Sequence, residues 1–106
     1  MNFQDKVSGR NLVVVDVETS GLHSDGDNPA EIIEISAIKF KDWQEAERYH
    51  SYIKNKTPLS KEISVLTEIT DEMLSDAPDI QTVMNEFCSF AKGALIAAYN
   101  APFDYG

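Results

Sequence analysis

The sequence reads Val-Val-Asp-Val-Glu-Thr-Ser-Gly-Leu over residues 14–22, so an apolar run ends in two carboxylates and a turn. Side chains alternate between the two faces of a strand, which puts Asp16 and Glu18 on the same face, roughly 7 Å apart. Apolar residues occupy both faces of the run, with Leu12 and Val14 beside the carboxylates and Val13, Val15 and Val17 opposite them. This pattern predicts a central strand over residues 11–18 that is buried on both sides.

The two carboxylates at the end of this strand indicate a cation site. Two anions held so close together repel each other and lose solvation. A divalent cation between them removes both costs, and hard oxygen ligands select Mg²⁺ or Mn²⁺. Taken alone, Asp16 and Glu18 fit a pair of solvated acids at a strand end equally well.

Two further strand patterns follow a polar, turn-rich loop over residues 21–30. Residues 31–40 alternate in a strand-like manner, and residues 43–53 form a third strand. The tight connection between these two strands is expected at Lys41–Asp42. Because short links join successive strands, the three strands are expected to form an antiparallel meander.

The middle of the chain carries helical patterns with suitable N-caps. Ser60 is expected to cap a helix, and Thr70 is expected to begin a second helical turn that closes at residues 77–78. Three residues are spaced to give the first helix one apolar face: Ile63, Leu66 and Ile69. Two apolar residues follow Thr70 in the second turn: Met73 and Leu74.

The best helical pattern covers residues 80–92, with Asp79 as its N-cap and Gly93 just after its end. The apolar spacing of this helix predicts Cys88 as a small buried residue. Residues 94–99 form a fourth strand pattern. Since this strand follows a helix, it can run parallel to the first strand through a right-handed crossover.

A second motif lies at the end of the chain, where residues 93–104 form a short apolar run ending in a polar turn and an acid. Together with residues 16–22, this region resembles the DEDD superfamily of 3′–5′ exonucleases, and most of all the branch that contains the proofreading epsilon subunit of bacterial replicative DNA polymerases. The first family motif, Asp-x-Glu-Thr-x-Gly-Leu, is complete in residues 16–22. Tyr99 stands where the second motif, His-Asn-x-x-Phe-Asp, commonly has His. Three residues match the rest of that motif: Asn100, Phe103 and Asp104.

Two segments between these motifs add to the resemblance. Residues 31–35 are similar to the family's second strand, and residues 66–70 are similar to its Leu-Thr-Gly-Ile-Thr segment, with Glu68 in place of Gly. The third family motif, His-x-x-x-x-Asp, does not occur in the sequence. We therefore expect residues 1–106 to form the amino-terminal part of a single exonuclease domain.

The resemblance implies an α/β fold with a ribonuclease H-like mixed sheet, whose carboxy-terminal part is missing. In this fold, three antiparallel strands are followed by a helical crossover to a parallel fourth strand. Asp16 and Glu18 would lie on the first strand, and Asp104 in a helix that opens at residues 100–102 after the fourth strand. The fold would thereby bring the three acids together.

The same resemblance implies a metal-dependent 3′–5′ exonuclease of the proofreading type, which hydrolyses phosphodiester bonds at DNA 3′ ends with two Mg²⁺ or Mn²⁺ ions. Asp16, Glu18 and Asp104 would be the catalytic and metal-binding residues. Six residues would bind the substrate: Thr19, Ser20, Gly21, Leu22, Asn100 and Phe103. The expected partners are a single-stranded DNA 3′ end and a DNA polymerase subunit. Without the third motif, the fragment is expected to show little or no turnover and to self-associate.

Two alternatives stay open. The first is an RNA exonuclease of the same superfamily, because the metal chemistry is the same and sugar choice depends on contacts to the 2′-OH. The second is a non-catalytic acidic module that binds a polymerase.

Composition limits the remaining classes of function. The net charge of −9 counts against a nonspecific electrostatic binder of nucleic acid, although bound cations can supply positive charge in a metal-dependent nuclease. The single cysteine gives no intramolecular disulfide framework. The polar start of the chain and its short apolar stretches predict a cytoplasmic protein without a membrane span.

Overall fold

The computed structural model describes residues 11–20 and 30–99. These residues contain four strands and three helices. In chain order they are β1 (Asn11–Thr19), β2 (Ile32–Lys41), β3 (Gln44–Tyr52), α1 (Lys61–Thr67), α2 (Asp71–Leu74), α3 (Ile80–Ala91) and β4 (Leu95–Tyr99). The helix expected to open at residues 100–102 lies outside the described residues. Among the described helices, none has the length and apolar character needed to cross a membrane.

The strands form one sheet in the order β3-β2-β1-β4. β1 pairs antiparallel with β2 and parallel with β4, while β2 pairs antiparallel with β3. The predicted α/β architecture, a meander followed by a helical crossover to a parallel fourth strand, is confirmed. β1 therefore lies inside the sheet with a neighbour on each edge, as its apolar residues on both faces predicted.

The β2–β3 connection is a two-residue turn one position later than expected. Asp42 and Trp43 both have positive φ, at 52° and 68°. Two consecutive positive φ angles are typical of the type I′ hairpin turn, whose twist matches that of the flanking strands. The turn therefore lies at Asp42–Trp43 rather than at Lys41–Asp42, because Lys41 still pairs with Gln44 at the end of the ladder.

The core lies between one face of the sheet and α3. One buried cluster consists of Ile35 of β2, Ile53 directly after β3, and Val83 of α3. Val13 of β1, Ala37 of β2 and Ala91 of α3 form a second. A third joins Ile33 to the segment that contains α1 and α2, through Ile69 and Leu74.

Two residues expected to be buried are exposed. Leu66 is 78% exposed, since α1 contacts the Ile33 cluster through Ile63 and ends at Thr67, before a second apolar turn can form. Cys88 is also exposed. It lies roughly 140° around α3 from the buried Val83, outside the stripe that faces the sheet.

The N-caps follow the sequence prediction. Ser60 Oγ accepts a hydrogen bond from the Ile63 amide, and Thr70 Oγ1 accepts one from the Met73 amide. Asp79 Oδ1 accepts one from the Thr82 amide at 2.8 Å and begins α3. This hydrogen bond is the main reason that the pKa of Asp79 lies below its ordinary value.

The cap at Asp79 makes the stability of the fold depend on pH. Because the pKa is lowered on folding, the stabilisation is complete above the ordinary aspartate pKa and is lost as pH falls through the lower value of the folded protein. We expect Asp79→Ala to lower Tm by several degrees at neutral pH. Asp79→Asn should keep most of the cap at neutral pH and lose this contribution to the pH dependence. Thermal melts of the three proteins at pH 7 and pH 3 test this, and identical melting of wild type and Asp79→Ala would contradict it.

Candidate active site

The carboxylates of β1 lie where the strand approaches its end. Asp16 and Glu18 share one face of β1, and Asp16 is exposed while Glu18 is half-buried. The opposite face of the same stretch carries Val15 and Val17, which pack against the cluster of Ile35. Packing of the valines against the core thus directs the two carboxylates to the other side of the sheet.

A third acid that the sequence analysis did not single out lies beside them. Glu34 of β2 is the register partner of Glu18, and Ser36 is the register partner of Asp16. Like charges directly across a ladder repel each other. The sequence signal that could have identified Glu34 is the alternation of residues 31–40, because it places Glu34 on the face opposite Ile33 and Ile35.

The pKa of Glu18 is raised by this environment. Partial burial is the largest cause that raises the pKa of Glu18, and the charges of Asp16 and Glu34 raise it further. His50 of β3 lies on the other side of Glu34, with its Nε2 atom 2.5 Å from Glu34 Oε2. The His50 ring also meets the Tyr52 ring edge-on, at 5.0 Å between centroids. Glu34 is therefore held between an acid on β1 and an imidazole on β3.

The donor set suits a hard divalent cation. Asp16 and Glu18 offer carboxylate oxygens, and positive charge between them would offset the charge repulsion that adds to burial in raising the pKa of Glu18. Over residues 11–20 and 30–99, no three His, Cys, Asp or Glu side chains are grouped so that they could hold a metal ion. Asp104, the third expected ligand, lies outside the described residues. β4 ends at Tyr99, the register partner of Asp16, so the chain leaves the sheet beside the carboxylates.

A reciprocal pair of hydrogen bonds joins the end of β1 to the start of β2. The Ser20 amide donates to the Glu31 carbonyl at 2.8 Å, and the Glu31 amide donates to Ser20 Oγ at 2.8 Å. The register of β1 and β2 shifts between Glu18 and Thr19. Of the expected substrate-binding residues, the structure thus places Thr19 and Ser20 directly after the carboxylates. The other four lie outside the described residues: Gly21, Leu22, Asn100 and Phe103.

The segment over residues 66–70 lies at the same end of the sheet. Ile69 packs against Ile33, the neighbour of Glu34 in β2. Glu68 ends α1 in the left-handed region, with φ 62° and ψ 20°, and its amide donates to the Ser64 carbonyl at 2.9 Å. A left-handed backbone conformation at a helix end favours glycine, which explains why Gly is usual at this position of the resembled motif. The Glu68 side chain is exposed to solvent.

Comparisons with known proteins give the family. Residues 13–106 match the RNase_T family model, whose description is Exonuclease. The protein named DNA polymerase III PolC-type from Thermotoga petrophila is 39% identical over 105 residues, which are 99% of this chain and 8% of that protein. The protein of the same name from Staphylococcus haemolyticus is 43% identical over 94 residues, which are 89% of this chain and 6% of that protein. This chain therefore belongs to the exonuclease family, and it spans less than a tenth of the length of these curated relatives.

Solved structures agree with the fold. The structure of exonuclease X in complex with 5′ overhanging duplex DNA superposes with a TM-score of 0.69 at 26% identity, covering 88% of this chain and 51% of that one. Exonuclease I from Methylocaldum szegediense superposes with a TM-score of 0.72 at 19% identity, covering 90% of this chain and 21% of that one. The predicted resemblance to DEDD exonucleases and the ribonuclease H-like fold are both confirmed.

The left-handed backbone at Glu68 leads to a stability prediction. Glu68→Gly should raise the free energy of unfolding by about 1 kcal/mol, because glycine adopts positive φ without the clash of a Cβ atom. Glu62→Gly is the matched control. It removes an exposed glutamate from the first turn of the same helix, where φ is helical, and should lower stability. Urea unfolding of the three proteins measures both effects, and destabilisation by Glu68→Gly would refute the conformational explanation.

Proposed function

We propose that this chain supplies the metal-binding strand of a 3′–5′ exonuclease that removes nucleotides from DNA 3′ ends during proofreading. The observation that carries the proposal is the placement of Asp16 and Glu18 on one face of the central strand, with the pKa of Glu18 raised by burial and by its acidic neighbours. Membership of the exonuclease family and relatives named DNA polymerase III support hydrolysis of DNA. Residues 1–106 would form the amino-terminal part of a single exonuclease domain.

The catalytic group would consist of Asp16, Glu18 and Asp104, which would hold two Mg²⁺ or Mn²⁺ ions. When bound, such ions stabilise negative charge on a reacting phosphate and lower the pKa of the attacking water. The protein's own part is to fix its carboxylates before substrate arrives. β1 does this for Asp16 and Glu18, since it is hydrogen-bonded on both edges and its valines are packed against the core.

The 3′-terminal nucleotide would bind at the end of β1. Thr19 and Ser20 follow the carboxylates directly, and Gly21 and Leu22, the next two residues of the chain, would also contact the nucleotide. Asn100 and Phe103 would approach from the chain that leaves β4 beside Asp16. In the relatives named DNA polymerase III PolC-type, a polymerase is the natural source of such a 3′ end, and we propose the same kind of partner here.

Cation-dependent binding of a DNA 3′ end tests this function without requiring turnover. We expect Mn²⁺ to increase the affinity for a fluorescent single-stranded DNA with a free 3′ end, as measured by anisotropy. Asp16→Asn should weaken this binding at least roughly tenfold, because it removes a charged oxygen ligand. Asp42→Asn is the matched control, since it makes the same change in an exposed turn at the opposite end of β1.

Three outcomes would contradict parts of this proposal. Equal binding by Asp16→Asn and wild type would refute the assigned cation site. Equal binding to a DNA whose 3′ end is blocked by phosphate would refute recognition of the terminus. A clear preference for an RNA strand of the same sequence would refute the choice of DNA.

A further inference from the structure

The end of β1 is connected to the segment over residues 66–70 by a chain of polar contacts. We define this network, called the brace below, by four side chains: Ser20, Glu31, Asn55 and Asp71. Each of them contacts a part of the chain at least eleven residues away. Asp71 begins α2, and the other three residues lie outside the helices and strands.

The first contact of the brace closes the two ends of the loop after β1. Ser20 and Glu31 exchange two hydrogen bonds of 2.8 Å, one through the Ser20 amide and one through its hydroxyl oxygen. Since Ser20 Oγ accepts the Glu31 amide, the hydroxyl hydrogen is left to donate to another acceptor. Ser20 is fixed in position by the two hydrogen bonds to Glu31.

The second contact uses the carboxylate of Glu31. Its Oε1 atom accepts the Lys56 amide at 2.8 Å, and its Oε2 atom accepts the Thr57 amide at 3.1 Å. Hydrogen bonds to an ionised acceptor are roughly twice as strong as neutral ones. One side chain thus attaches the start of β2 to the loop after β3.

The third contact continues to α2. Asp71 Oδ1 accepts hydrogen bonds from Asn55 Nδ2 at 2.8 Å and from the Leu59 amide at 3.0 Å. Asn55 Nδ2 also donates to the Thr57 carbonyl at 2.8 Å, so the two halves of the brace meet at Thr57. Asp71 directly follows Thr70, the last residue of the segment that packs on Ile33 through Ile69.

The brace therefore joins two segments that lie at the same end of the sheet as Asp16 and Glu18. We propose that Glu31 and Asp71 are positioning residues, which hold Thr19 and Ser20 in a fixed position relative to the segment over residues 66–70 so that a 3′-terminal nucleotide can bind at the end of β1. This inference rests on the proposed function. Neither Glu31 nor Asp71 is assigned any contact with the metal or the nucleotide.

Nucleotide and metal affinities separate this role from general stability. Thymidine 5′-monophosphate serves as the probe, with Mn²⁺ present, and both affinities are measured by calorimetry on the whole chain. Glu31→Gln replaces one acceptor oxygen by an NH₂ group, so it should weaken nucleotide binding roughly threefold to tenfold. Asp71→Ala should have at least this effect. Mn²⁺ affinity should stay unchanged in both variants, because Asp16 and Glu18 are held by β1.

The control variant is Glu72→Ala, which removes an exposed acid next to Asp71 with no part in the brace. It should leave nucleotide affinity unchanged. Nucleotide binding by Glu31→Gln and Asp71→Ala at the wild-type affinity would overturn the positioning role. Loss of Mn²⁺ affinity together with nucleotide affinity would also overturn it, since that result indicates general destabilisation.

Hydrogen exchange of the wild-type chain tests the same inference without any variant. Binding of the nucleotide should slow exchange at the Lys56, Thr57 and Leu59 amides, which donate to the brace but are not assigned to touch the nucleotide. Unchanged exchange at all three amides in the nucleotide complex would overturn the inference. A wild-type chain that binds Mn²⁺ but not the nucleotide would instead refute the proposed function on which it rests.

Discussion

The candidate site depends on the backbone pairing of β1 with two strands at once. Two negative charges on one strand, with Glu34 across the ladder from one of them, would separate in a flexible chain. The hydrogen bonds to β2 and β4 and the packing of Val15 and Val17 prevent that separation. Partial burial raises the pKa of Glu18, and the cost of holding the charges of Asp16 and Glu34 nearby raises it further. A cation between Asp16 and Glu18 would offset the part of this cost that comes from charge repulsion, and under the proposed function the carboxylates would be in place before the ligand arrives.

The sequence was sufficient for the strands and the helix starts because both depend on local patterns, whereas the strand order was predicted from the short links between strands and from the family resemblance. Alternation identified the strands, and the side chains of Ser60, Thr70 and Asp79 identified the N-caps. Burial on the helices was harder to predict, because it depends on what each helix faces. Leu66 has helical spacing but no element of the described chain to pack against, and Cys88 lies on the outer side of α3.

The candidate site was predictable only in part, for a similar reason. A motif predicts the residues that would act on a ligand, and the sequence identified Asp16 and Glu18 as candidates in this way. Glu34 and Glu31 act through other parts of the protein, by register across a ladder and by hydrogen bonds to a distant loop. The alternation of residues 31–40 predicts the face on which Glu34 lies, but no spacing in the sequence predicts its partner on β1 or the loop that Glu31 contacts, since both depend on the tertiary structure. At Glu68 the structure explains the motif instead. The left-handed backbone at this residue accounts for the glycine that the resembled motif usually has there and that this chain lacks.

The position of the bound cation is the central claim, and paramagnetic relaxation by Mn²⁺ measures it most directly. Substoichiometric Mn²⁺ should broaden the amide signals of Asp16, Glu18 and Glu34 first, because broadening falls steeply with distance from the ion. The signals of Asp42 and Trp43, in the turn near the opposite end of β1, should stay sharp. Broadening centred on that turn, or spread evenly over the acidic surface, would contradict a cation site on the central strand.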